Sequence, residues 1–162
     1  KITNGVTHHP HRRFMRDRRS GCRTWRQNVG MTTAHEQAVI DLVQAFSRGD
    51  SAAVRAMLAD DLVAFVTEPD GSTREVRTAA SYAAIVDAMD PVSANLRMDV
   101  PQITTIEPGL VMAMFEVHAA RHGRTLHNFS GQLFRFNGNL IDRIWMVEAL
   151  PRESDAFWSA TS

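Results

Sequence analysis

Residues 124–150 read RTLHNFSGQLFRFNGNLIDRIWMVEAL. Two stretches rich in apolar, β-branched and aromatic residues, Arg124–Phe136 and Leu140–Leu150, flank Asn137-Gly138. That dipeptide tolerates positive φ and is a strong hairpin signal. Upstream, Gly123 joins Arg124–Phe136 to a further strand, Leu110–Arg121, and Leu96–Thr105 precedes that one. Pro101 cannot donate to a sheet ladder, so the Leu96–Thr105 strand is expected to be bulged or at an edge. Side chains alternate along a strand. Asn128, Ser130, Gln132, Phe134 and Phe136 therefore share one face, and His127, Phe129 and Leu133 share the other. Alternation alone leaves open which face is interior.

The first half has a different character. Thr33-Ala34-His35-Glu36 is a capping box, and Val39, Leu42, Val43 and Phe46 follow at helical spacing. Gly49 is the natural stop, and Asp50 caps a second short helix, Ser51–Leu58, closed by Ala59-Asp60-Asp61. Leu62–Thr67 reads as a strand, Pro69-Asp70-Gly71 as a turn and Glu75-Val76-Arg77 as a short second strand. Thr78–Met89 reads as a third helix ended by Pro91, and Glu153–Ser159 as a terminal helical turn. Helices followed by antiparallel strands with tight turns imply an α+β fold, not α/β.

No apolar run approaches the roughly 18–20 residues a membrane span requires. Cys22 is the only cysteine, which excludes an intrachain disulfide and a cysteine-built zinc site. No histidine spacing suggests a metal site, so neither a metal nor another cofactor is expected. A reducing, cytoplasmic location fits. The net charge of zero hides a split: Lys1, Arg12, Arg13, Arg16, Arg18, Arg19, Arg23 and Arg26 stand against Asp17 alone in the first thirty residues. Residues 1–31 are read as a basic N-terminal tail, non-native or disordered. Residues 32–162 are read as the folded domain. A nucleic-acid-binding arm is the competing reading of the tail, and nucleic acid is not expected as a partner of the domain.

The order helix, Ser47-Arg48-Gly49-Asp50, helix, Ala59-Asp60-Asp61, strand, with the ending Leu133-Phe134-Arg135-Phe136-Asn137-Gly138 and Ile144-Trp145-Met146-Val147, resembles the NTF2-like superfamily of SnoaL-like and ketosteroid-isomerase-like proteins. The resemblance covers roughly Ala34–Leu150. It implies a cone-shaped barrel, a curved and mostly antiparallel sheet wrapped around three helices from the N-terminal half. It also implies one small-molecule pocket and a homodimer through the outer sheet face. Family folds host many activities, so function must come from the site.

The ketosteroid-isomerase pattern puts a tyrosine where this chain has Leu42, and a protonated aspartate where it has Gln132. Its general base falls on Glu68 if Pro69-Asp70-Gly71 anchors the alignment, or on Val66 without a gap. The polyketide-cyclase branch also uses an acid near Gln132. The epoxide-hydrolase branch needs an aspartate near Trp145 and an Arg-x-Asp that Leu110–Arg121 lacks. The resemblance thus implies Glu68 and Gln132 as catalytic residues. Val66, Phe115, Val117, Arg121, Asn128, Ser130, Phe134 and Trp145 would contact the substrate, with Arg121 greeting an anion and Trp145 forming a wall. A carboxylate in an apolar pocket is disfavoured as the anion and so becomes a usable base near neutral pH. Glu116 and His118 fall on the outer face. Three classes remain open: a cofactor-independent isomerase or cyclase acting on a compact apolar substrate, a non-catalytic carrier, and a dimerising module.

Overall fold

The computed structural model describes residues 32–160; the expectation for residues 1–31 lies outside them. Among the described residues, four helices and six strands run in the order α1 (Ala34–Ser47), α2 (Ser51–Ala56), β1 (Leu58–Thr67), β2 (Thr73–Arg77), α3 (Ala79–Met89), β3 (Arg97–Glu107), β4 (Leu110–Arg121), β5 (Arg124–Asn137), β6 (Leu140–Glu148) and α4 (Pro151–Trp158). The strands form one curved sheet ordered β2-β1-β6-β5-β4-β3. The β1–β6 pair is parallel and the other four are antiparallel. The fold is α+β as expected, but the sheet does not close into a barrel: β2 and β3 end it without pairing to each other.

α1 forms where its capping box predicts. Glu36 N–H donates to Thr33 Oγ1 at 3.2 Å and Thr33 N–H donates to Glu36 Oε2 at 2.9 Å. The same carboxylate reaches the sheet: Glu36 Oε1 accepts from Thr105 N–H at 2.7 Å and from the Thr105 hydroxyl at 2.9 Å. These donors, led by the Thr33 backbone N–H, hold the Glu36 carboxyl below its ordinary pKa. A carboxylate with a lowered folded pKa contributes stability at neutral pH that is lost as pH falls through that value. Glu36→Gln is therefore expected to cost about 1–2 kcal/mol at neutral pH. Urea unfolding should show the gap from the parent closing in acid; a gap independent of pH would contradict the anionic role.

Gly49 stops α1 at φ +69°. A Cβ there would meet Val92 Cγ2 at 3.3 Å, so both backbone conformation and space favour glycine. β1 begins at Leu58, four residues before the expected Leu62, because Leu58 already pairs with Ile141 of β6. Ala59-Asp60-Asp61 belong to the strand and do not close a helix. Pro101 satisfies both of its expectations. β3 is an edge strand, and its register with β4 shifts between Asp99 and Gln102. The β4–β5 hairpin turns on His122-Gly123, both at positive φ. In the next hairpin only Gly138 is positive, and Asn137 remains in the strand opposite Leu140.

α1 packs on β3 and β4, α3 on β1 and β2, and α4 on β5. One core cluster joins Val39, Leu42 and Val54 of the helices to Val111, Phe115, Phe134 and Ile144 of the sheet. Each such side chain contributes roughly 1.5–3 kcal/mol on leaving water.

Candidate functional site

Between the helices and the inner sheet face lies a cavity of about 120 Å³. Apolar cavities near 150 Å³ accept a single aromatic ring, so this one suits a compact molecule. Leu42, Phe46, Ile85, Met98 and Phe134 supply apolar wall. The polar groups are concentrated on adjacent strands and α4: Asn128, Ser130 and Gln132 on β5, Glu148 at the end of β6, and Ser154 on α4.

The β5 burial pattern alternates with Leu126, Asn128, Ser130, Gln132, Phe134 and Phe136 buried, which makes the polar face the interior one. Buried polar groups need partners. Gln132 Nε2 donates to Ser130 Oγ at 3.4 Å. Asn128 Oδ1 accepts from Leu150 N–H at 3.0 Å and from Phe129 N–H at 2.8 Å. Asn128 Nδ2 donates to Leu150 O at 3.3 Å and to Glu148 Oε2 at 3.5 Å. Asn128 thereby ties β5 to the exit of β6 and holds Glu148 in place.

Glu148 is the carboxylate that lines the cavity. Its burial pushes its pKa above the ordinary glutamate value, opposed in part by a hydrogen bond from Ser154. Tyr82 of α3 adds a phenol to the same wall, and its burial pushes its pKa up to about 12. It is therefore a neutral donor at physiological pH.

Of the residues expected at the site, Val66, Val117, Asn128, Ser130, Gln132 and Phe134 line the cavity together. Four others lie elsewhere. Glu68 follows β1 at the β1–β2 turn, where its backbone accepts from Gly71 N–H and its carboxylate pairs with Arg74. The Pro69-Asp70-Gly71 turn carries it past the end of the sheet, away from the lining. Phe115 is fully buried behind the wall, edge-on to Phe134 with centroids 6.2 Å apart. Trp145 stacks on Phe65 with centroids 6.1 Å apart, on the face opposite the cavity.

Arg121 serves α4. Its Nη2 donates to Phe157 O at 3.2 Å and to Trp158 O at 2.6 Å, and its guanidinium lies 5.4 Å from each of those rings. A cation on the last carbonyls of a helix is favourable, and here it fixes the helix that brings Ser154 and Trp158 to the cavity. Arg121→Ala is expected to cost about 1–3 kcal/mol and to accelerate amide exchange throughout α4. Unchanged exchange there would remove the anchoring role.

Two polar side chains of the lining, Glu148 and Tyr82, were not expected there. A register shift between β5 and β6, at Arg135/Phe136, explains the first. Phe136 pairs with Ile141, but Arg135 pairs with Arg143, leaving Asp142 as the extra residue. Beyond it the inward residues are Ile144, Met146 and Glu148, opposite Phe134, Gln132 and Ser130. A bulge-free hairpin would have placed Trp145 beside Gln132. The visible signal is Ile141 and Ile144, both fully buried yet three residues apart, a spacing that straight alternation forbids.

The SnoaL-like domain family matches residues 39–144. This chain belongs to the SnoaL-like domain family. No protein of curated function matches it by sequence. Among solved structures, this SnoaL-like domain is similar to Bal32a from a soil-derived mobile gene cassette, at 13% identity and TM-score 0.68, over 78% of this chain and 98% of that one. An LEH-like epoxide hydrolase of Mycobacterium tuberculosis aligns at 18% identity and TM-score 0.61, over 79% and 97%. Another M. tuberculosis protein, in complex with estradiol-17β-hemisuccinate, aligns at 20% and 0.58, over 70% and 92%. At these identities the likeness establishes the shared fold.

Proposed function

We propose that this SnoaL-like domain binds a compact, largely apolar carbonyl compound and transfers a proton next to its carbonyl without a cofactor. The observation that carries this reading is Glu148, a carboxylate of raised pKa at the wall of a mostly apolar cavity that also presents amide and phenol donors. Glu148 takes the role first assigned to Glu68. Its carboxylate removes the proton from the carbon beside the carbonyl, and the electron pair moves to oxygen as an enolate. Gln132 Nε2–H and the Tyr82 hydroxyl are the candidate donors to that oxygen, where charge develops. The protonated Glu148 then returns the proton to the same or a conjugated carbon, so the step balances as an exchange or an isomerisation. The epoxide hydrolase and steroid-complexed relatives support a small-molecule occupant for this fold. The cavity volume favours something smaller than a steroid.

The test is hydrogen–deuterium exchange in a panel of small cyclic and aryl ketones, followed by NMR in D2O. Catalysed exchange that is lost in Glu148→Gln supports the enzyme. Binding of panel members without exchange transfers the reading to the alternative, a carrier of the same ligand class.

The outer sheet face supports a homodimer: Met112, Met114, Phe129 and Val147 are all exposed there. Sedimentation velocity is expected to give the mass of two chains and, in Phe129→Glu, the mass of one. A parent protein of single-chain mass would oppose the pairing. No helix of the described residues is long and apolar enough to cross a membrane.

A further inference from the structure

On the sheet face opposite the cavity, β4 and β5 bring together a donor set that linear spacing conceals. Glu116 and His118 alternate on one side of β4, and the β4–β5 register sets His127 directly opposite His118. Their imidazoles stack with centroids 4.6 Å apart and planes 10° from parallel. Both Nε2 atoms converge on one carboxylate oxygen: His127 Nε2 lies 2.8 Å and His118 Nε2 3.3 Å from Glu116 Oε1. One ligand atom from each of the three residues lies within 4.8 Å of the others. Four ligands about 2 Å from a tetrahedral ion stand about 3.3 Å apart, so small side-chain rotations suffice. Asp99 of β3, opposite Glu116, is the fourth protein group at hand. Its Oδ2 is 4.0 Å from His118 Nε2 and 3.2 Å from the Arg97 guanidinium, which it would have to release.

We propose that Glu116, His118 and His127 form a binding site for a first-row divalent transition-metal ion of the zinc type, with Asp99 or water in the fourth position. Two imidazole nitrogens with one carboxylate oxygen suit such ions better than magnesium or calcium, which prefer all-oxygen sets. In the single chain His118 and His127 are both solvent-accessible, so an ion reaches them without unfolding; His127 lies beside Phe129, so a homodimer paired through Phe129 would bring the site to the edge of its interface. This site replaces the expectation of no metal. The sequence hid it because His118 and His127 are nine residues apart and meet only through the hairpin at His122-Gly123. It is separate from the cavity and does not depend on the function proposed for it.

The test is calorimetric titration of the chelator-treated full chain with zinc chloride. The background carries His8→Ala, His9→Ala, His11→Ala and Cys22→Ser, because those tail residues are themselves metal donors. One zinc per chain is expected. The affinity should fall by about tenfold or more in His127→Ala, and likewise in Glu116→Gln, which keeps the side chain's shape. His122→Asn, whose new residue tolerates the positive φ of that turn, should leave it unchanged. Cobalt(II) should give a visible ligand-field spectrum that His127→Ala abolishes. Absence of zinc binding in this background, or binding indifferent to both His127→Ala and Glu116→Gln, overturns the proposal.

Discussion

Glu148→Gln is expected to lose turnover and gain stability in the same protein. Removing a positioned general base typically costs about 10²–10⁴-fold in rate, and the glutamine amide cannot accept the substrate proton. The gain in stability follows from burial. Burial raises the folded-state pKa of Glu148 above its ordinary 4.5. Between those two values the folded chain holds a proton that the unfolded chain has released, so stability falls as pH rises through that window. Above it the penalty for the buried anion is constant, and the neutral amide escapes it. The melting temperature of Glu148→Gln should therefore exceed the parent's at neutral pH, with the difference shrinking toward pH 4. Parent turnover should rise with pH through the raised pKa. Turnover within about threefold of the parent would show that another group takes the proton.

Phe115→Ala should cost about 3–5 kcal/mol, measured by guanidinium unfolding, because it deletes a fully buried ring and leaves a void. Total stabilities are only about 5–15 kcal/mol, so this variant should stand close to unfolding. The ring lies against Phe134 in the core and not among the cavity-lining side chains. The loss should thus appear in stability before it appears in ligand contact. A cost below about 1 kcal/mol would mean that the neighbours collapse into the space.

The legible parts of the fold were those written in local chemistry. The Thr33–Glu36 box, the Gly49 stop and the Pro101 bulge can each be read from a few adjacent residues, and the structure has all three. The boundary at Leu58 was not legible, because a parallel partner more than eighty residues away extends β1. The inner face of β5 follows from alternation once its interior side is known. Glu148 did not follow, because Asp142 interrupts the alternation that would lead to it from the Gly138 turn. Arg121 was legible as a strand residue but not as the anchor of α4, since its partners are backbone carbonyls that no side-chain pattern reveals.

That extra residue at Asp142 makes the chemistry of the pocket depend on strand register as well as on amino-acid choice. Excising it would leave the lining as it is, because Arg143 already pairs with Arg135 and Ile144, Met146 and Glu148 follow from there. Drawing it into the ladder opposite Arg135 would instead slide the rest of β6 by one position. Arg143, Trp145 and Val147 would then face the ligand, and Glu148 would face away. Two unlike linings are thus encoded in the same strand, one register step apart, and a single bulge selects between them.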